Sequence, residues 1–107
     1  MEWIRVFNSS EEAEKRIPAG NIATIVIRDQ RISLAHTFKG WYGIQEACPH
    51  RGESLTGGTI NYLNEIICPW HNQRFSLSDG RECEGRSTDA EIFPVRITDK
   101  GLFIGIK

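Results

Sequence analysis

The sequence predicts an all-β fold, a small barrel or sandwich, and three observations carry that prediction. Apolar residues recur in short runs that alternate, or that are rich in β-branched and aromatic side chains. Turn signals separate these runs at regular spacing. With 107 residues, the chain makes one domain, 1–107, large enough for a modest core and too short for a second.

The elements follow in order. "WIRVF" (3–7) alternates as a half-buried strand does. "SSEEAEKR" (9–16) is the one helical piece: Ser9 or Ser10 supplies a cap, acids fill the first turn and Pro18 stops it. "IATIVIR" (22–28) and "RISLAHTF" (31–38) read as a hairpin closed at Asp29-Gln30, without the glycine such turns favour. "WYGIQEA" (41–47) follows Gly40 as a further hairpin strand, and "EIIC" (65–68), "RFSL" (74–77), "EIFPVRI" (91–97) and "LFIGI" (102–106) complete the set. Turns are signalled at Gly57-Gly58, Asp79-Gly80 and Lys100-Gly101.

Hydrophobic residues make up 39% and charged residues 25%, the balance of a soluble globular domain. The formal net charge of −1 offers no basic footprint for nucleic acid and no field for an anionic membrane. The N-terminal segment carries acids early and has no long apolar run, so it does not read as a signal peptide, and no stretch reaches a membrane span. Three cysteines form no disulfide framework, which points to a reducing, cytoplasmic setting.

The chemistry concentrates in two fragments, "CPHRGE" (48–53) and "CPWHNQRF" (68–75). Cys48, His50, Cys68 and His71 are the sulfur–nitrogen cluster of the chain, and thiolate with imidazole is the donor set of zinc and of iron–sulfur centres. Each Cys precedes a proline, which has no N–H and biases the Cys toward extended backbone, so both loops are stiffened at the ligand. Both fragments fall at strand ends, on loops that a sheet scaffold can hold. Ordinary turns carrying core cysteines and surface histidines would be the bland reading, and two such matches in so short a chain speak against it.

Two metal readings remain. A structural zinc ion takes Cys2His2, but its usual spacing groups the cysteines and then the histidines. Here each fragment gives one of each, with 17 residues (51–67) between His50 and Cys68. That arrangement suits a dinuclear centre in which each loop reaches both metals, as in a Rieske [2Fe-2S] cluster, where two cysteines hold one iron and two histidines the other.

The pattern C-x-H-x17-C-x-x-H, written here as "CPHRG" and "CPWH", resembles the Rieske ferredoxins, and the likeness runs through nearly the whole chain. "GWYGIQEACPHRGESLTGG" is similar to the first cluster loop and its lead-in strand, "CPWHNQRFSLSDG" to the second, and "FPVRI" to the penultimate strand. The resemblance implies three small antiparallel sheets, with the two loops forming a cluster-binding subdomain. It implies one [2Fe-2S] cluster per chain held by Cys48, His50, Cys68 and His71, the histidines exposing a ring edge as an electron port framed by Pro49, Arg51, Trp70 and Asn72. Neutral imidazoles make the oxidised core formally neutral, and hence easier to reduce than an all-cysteine cluster.

Within the family, the respiratory branch has two further cysteines that pair across the cluster, and hydroxyls that donate to sulfur. Glu53 and Trp70 stand at the first pair of positions here, Gln73 and Phe75 at the second. Phe75 has no donor. Donors to sulfur stabilise the more negative reduced state, so losing them lowers the potential, toward the bottom of the Rieske range at about −150 mV; the Gln73 amide is the one group here able to replace a lost donor. Asn72 replaces the family's usual glycine after the second histidine; Asn is the non-glycine residue that best tolerates a positive φ. "CEGRSTD" (83–89) lacks the proline of the family's covering loop.

Of the other residues, Trp70 either anchors a partner or packs over its own loop. Arg51 reads as a solvated surface charge rather than one that steers an acidic partner. Cys83 reads as a small buried hydrophobe, and His36, mid-strand, as structural. Trp3, Trp41 and Tyr42 read as core or sheet-edge aromatics, and Glu11, Glu12 and Glu14 as a solvated helix face.

By resemblance, the chain is a soluble low-potential carrier, taking electrons from a flavin-dependent NAD(P)H reductase and giving them to a terminal oxygenase, and is not itself an enzyme. An oxygenase needs a two-histidine, one-carboxylate iron site, and only His36 remains once the cluster is served. The alternatives are the small subunit of an assimilatory nitrite reductase, which often lacks the ligands, and a zinc-stabilised β binding module.

Overall fold

The computed structural model describes residues 1–49, 52–70 and 72–107. Among these, the chain runs β1 (Glu2–Phe7), α1 (Ser10–Arg16), β2 (Ile22–Ile27), β3 (Gln30–Thr37), β4 (Gly40–Gln45), a 3₁₀ turn (Leu55–Gly57), β5 (Thr59–Ile60), β6 (Glu65–Ile67), β7 (Arg74–Ser76), β8 (Ile92–Phe93), β9 (Val95–Thr98) and β10 (Gly101–Ile106). The strands form three antiparallel sheets, ordered β1-β10-β9, β2-β3-β4-β8 and β5-β6-β7. This is the expected three-sheet all-β architecture.

Local chemistry sets most boundaries. Ser9 is the helix cap, its Oγ accepting from the Glu12 N–H at 3.1 Å, and Ile17 closes the other end just before Pro18. Arg28 and Asp29, with φ of 51° and 67°, form the two-residue turn between β2 and β3, one residue earlier than expected. Positive φ at both positions gives the backbone twist that a two-residue hairpin needs, and it is met here without glycine. The single strand expected over 91–97 is divided. Pro94 has no N–H for a ladder, and the chain leaves the second sheet before it and joins the first after it.

Period-2 alternation lets the central sheet serve two cores. Ile27, Ile32, Leu34 and Phe93 face Leu102, Ile104 and Ile106 of β10, with Ala13 and Ile17 from the helical segment. Ala35 and Ile44, from the same sheet, join Leu55, Ile66, Phe75, Leu77 and Ala90 in the second core, which also contains Cys48 and Cys68. No helix among the described residues is long and apolar enough to cross a membrane.

Candidate metal centre

Each of the two Cys-Pro fragments continues a strand. β4 ends at Gln45 and leads into Cys48; β6 ends at Ile67 and delivers Cys68 directly. Both loops then close in the same way. The Cys48 N–H donates to the Glu53 carbonyl at 2.8 Å, and the Cys68 N–H to the Gln73 carbonyl at 2.7 Å, each five residues on. The residue four after each cysteine takes the left-handed backbone that such a tight closure needs: Gly52 at φ 76° and Asn72 at φ 55°. Asn72 thus performs the turn expected of it.

The frame is therefore equivalent in the two loops, and the unequal spacing of histidine is a difference of position within it. His50, Arg51 and His71 lie outside the described residues. Their neighbours Gly52, Glu53, Pro69, Trp70 and Asn72 are exposed, and Pro49 is half-buried. Trp70 is about half exposed, at 49%.

The sulfurs point the other way. Cys48 and Cys68 are buried at 2% and 0% exposure, and their thiols are hydrogen-bonded neighbours. Burial pushes the Cys68 thiol up to about 11, while the backbone N–H of Trp70, aimed at its sulfur, works in the opposite sense. Two soft donors meet inside an apolar core, one with an amide already directed at it. Gln73 is buried in the same place at 1% exposure: its Oε1 lies 4.0 Å from Cys48 Sγ, and its Nε2 has no partner among the described residues. Adjacent buried thiols and an orphaned donor beside them fit a group that brings sulfur and metal with it. Phe75, fully buried, lies in the same core without a donor.

A polar seam fixes the first loop to the central sheet. Glu46 accepts from Arg31 Nε at 2.8 Å, from Thr24 Oγ1 at 2.9 Å and from Ser54 Oγ at 3.1 Å, while Thr56 Oγ1 bonds both Thr24 and Ser33. Nothing in the sequence signalled this seam, because its members come from four separate segments.

Other expectations resolve plainly. His36 is structural: its Nδ1 lies 2.8 Å from the Ile17 carbonyl, and its ring stacks on Trp41 with centroids 3.9 Å apart. Trp3 lies under the Arg96 guanidinium at 4.3 Å. Cys83 is a correction. It is exposed rather than buried, and its thiol donates to Glu65 Oε2 at 2.9 Å. Glu65, on β6, also pairs with Arg74, on β7, at 3.0 Å.

Comparison with known proteins finds a matching family, a relative in sequence and neighbours in fold. A family model described as the Rieske [2Fe-2S] domain matches residues 2–95. The ferredoxin component of the naphthalene 1,2-dioxygenase/salicylate 5-hydroxylase systems of a Ralstonia species is 25% identical over 89 residues, covering 82% of this chain and 85% of the relative. The ferredoxin of carbazole 1,9a-dioxygenase from Nocardioides aromaticivorans IC177 superposes with a TM-score of 0.85 at 17% identity, each chain covered fully, at 100%. A Mycobacterium tuberculosis protein described as an NADH-dependent nitrite reductase small subunit shares the fold as well, with a TM-score of 0.82 at 16% identity over 99% of this chain and 96% of that one.

Proposed function

The chain belongs to the Rieske [2Fe-2S] domain family, and from that premise we propose that it carries single electrons as the ferredoxin component of an oxygenase system. A flavin-dependent NAD(P)H reductase is its donor and a terminal oxygenase its acceptor. The chain is an electron-transfer component, not the oxygenase: it is matched over 85% of the length of the Ralstonia ferredoxin component, and that relative works within a larger system.

The observation that carries the reading is the pair of buried thiols on two identically closed loops. Cys48 and Cys68 would hold one iron as thiolates, and His50 and His71 would hold the other. When bound, the cluster supplies one-electron redox chemistry. The chain does the rest. Its second core keeps water from the sulfurs, Pro49 and Pro69 stiffen the backbone beside them, and the Trp70 N–H donates to the Cys68 sulfur. The exposed rim of Gly52, Glu53, Pro69, Trp70 and Asn72 gives a partner direct approach to the two loops. Because Phe75 offers no donor, the potential belongs at the bottom of the Rieske range, about −150 mV. Three unpaired thiols, with Cys83 exposed, suit a reducing cytoplasm.

Anaerobically purified chain tests this. Two iron and two acid-labile sulfide per chain, with the rhombic electron paramagnetic resonance (EPR) signal of a reduced mixed-ligand cluster, are expected. Colourless protein containing zinc would establish the binding-module reading instead. A clearly positive midpoint would remove the low-potential assignment. Electron delivery to a nitrite reductase catalytic subunit, and not to an oxygenase, would move the chain to the nitrite reductase class.

A further inference from the structure

We infer that the side-chain amide of Gln73 donates a hydrogen bond to the Cys48 thiolate in the cluster-loaded protein, and so raises the reduction potential; this rests on the Rieske reading above. Gln73 belongs to the second loop by its backbone, whose carbonyl closes that loop on the Cys68 N–H. Its side chain reaches across to the first loop, where Oε1 stands 4.0 Å from Cys48 Sγ. One residue thus touches both cysteines, through different groups.

The surroundings make this amide costly unless it has a purpose. Gln73 is 1% exposed, and Leu55, Ile66, Phe75 and Leu77 are buried in the core around the two cysteines. Nε2 is shielded from water and has no partner among the described residues. A methionine or leucine would fill the same volume without orphaning a donor.

The contact seen is that of a thiol, S–H donating to C=O. A ligating cysteine has no proton, so its sulfur accepts only, and a carbonyl oxygen facing it is repelled. The last torsion of glutamine is soft and roughly two-fold, and its oxygen and nitrogen occupy nearly the same space. Turning the amide over replaces Oε1 with Nε2–H and converts repulsion into a charge-assisted bond. Such a donor favours whichever redox state puts more negative charge on sulfur, which is the reduced one.

The test compares wild-type chain with Gln73→Met and Gln73→Leu, all loaded with cluster. Removing the donor is expected to disfavour reduction about tenfold, a downward shift of about 59 mV for a one-electron couple. The iron–cysteine stretching bands in resonance Raman spectra should also lose part of their shift in heavy water. Equal midpoints and equal isotope shifts in loaded wild type and loaded Gln73→Met would overturn the inference. Should neither variant fold, pulsed EPR of the reduced wild type, 15N-labelled at glutamine side chains, decides: a nitrogen coupling supports the bond and its absence refutes it. Wild-type chain that takes up no [2Fe-2S] cluster is a separate result, which removes the Rieske reading and this inference with it.

Discussion

Glu46 sits between a sheet and a cluster loop, and its carboxylate collects the Arg31 guanidinium and two hydroxyls, those of Thr24 and Ser54. The Arg31 hydrogen bonds are the main cause that brings its pKa from 4.5 down to about 2. A depressed folded pKa stabilises above the unfolded value and is lost as pH falls through the folded one, so the window runs from about 4.5 down to about 2. Arg31 is 61% exposed, and solvent screening trims the gain. Glu46→Gln should cost about 1–2 kcal/mol at pH 7 in urea unfolding, and the gap to wild type should narrow below pH 4.5. A gap that stays constant would mean that shape, not charge, holds the seam. Cys83 has a different pH behaviour. Desolvation of its sulfur, then the Glu65 carboxylate it donates to, push it up to about 11 from 9.0. That leaves on the order of a hundredfold less thiolate at neutral pH than an ordinary cysteine has. Alkylation by iodoacetamide should therefore be slow despite exposure, and faster in Glu65→Gln; rapid modification of wild type at pH 7.5 would contradict this. The sequence placed Cys83 in the core because a lone cysteine is usually a small hydrophobe, and the Glu65–Arg74 pair beside it comes from other strands that no local pattern connects.

Among the elements, the two loops were the most legible, since Cys-Pro, glycine and asparagine each leave a local mark on the backbone. Asn72 was expected at positive φ and is found there, in the position that Gly52 fills in the other loop. Asn72→Gly should accordingly leave folding and iron content unchanged. Asn72→Val places a β-branched side chain in the left-handed region, at a cost of about 1–2 kcal/mol, and should lower the iron-to-protein ratio through a loosened Cys68–Gln73 closure. Iron analysis beside chemical denaturation checks both variants. Full occupancy in Asn72→Val would show that the loop tolerates reshaping once metal is bound. The less legible elements are the ones whose shape depends on partners. β5 is two residues long and exists by pairing with β6, and Gly58 before it lies so close that an added Cβ would meet the Ile67 carbonyl oxygen. Val95–Thr98 reads as the continuation of Ile92–Phe93 until pairing sends each to its own sheet at Pro94. Such divisions are tertiary decisions, and propensity along the chain does not contain them.

At the scale of the molecule, one central sheet divides the apolar residues between two cores that differ in what completes them. The first is aliphatic and aromatic throughout, with β1 and β10 pairing the two ends of the chain across it. The second includes two cysteines and a glutamine side chain whose amide nitrogen has no partner among the described residues, and its own sheet, β5-β6-β7, has strands of only two or three residues. Strands that short need support from outside, because ladder bonds and a small apolar area do not offset the entropy of fixing the chain. On the proposed ligation, a cluster held by Cys48 and Cys68 would tie residues 48 and 68 together and so contribute folding free energy to that half directly. The two halves should then respond unequally to loss of the cluster. Chelation under reducing conditions is expected to lower hydrogen-exchange protection of β5, β6 and β7 amides by about a hundredfold or more, while β1, β9 and β10 amides keep theirs. The seam through Thr24, Ser33, Glu46, Ser54 and Thr56 lies between the halves, and the amides of Glu46, Ser54 and Thr56 should show intermediate loss. Uniform loss through the whole chain would mean that the central sheet couples the cores into a single cooperative unit. Unchanged protection in β5–β7 would mean that the thiols pack well enough without metal, and that ligation sets the redox chemistry while contributing little to the fold.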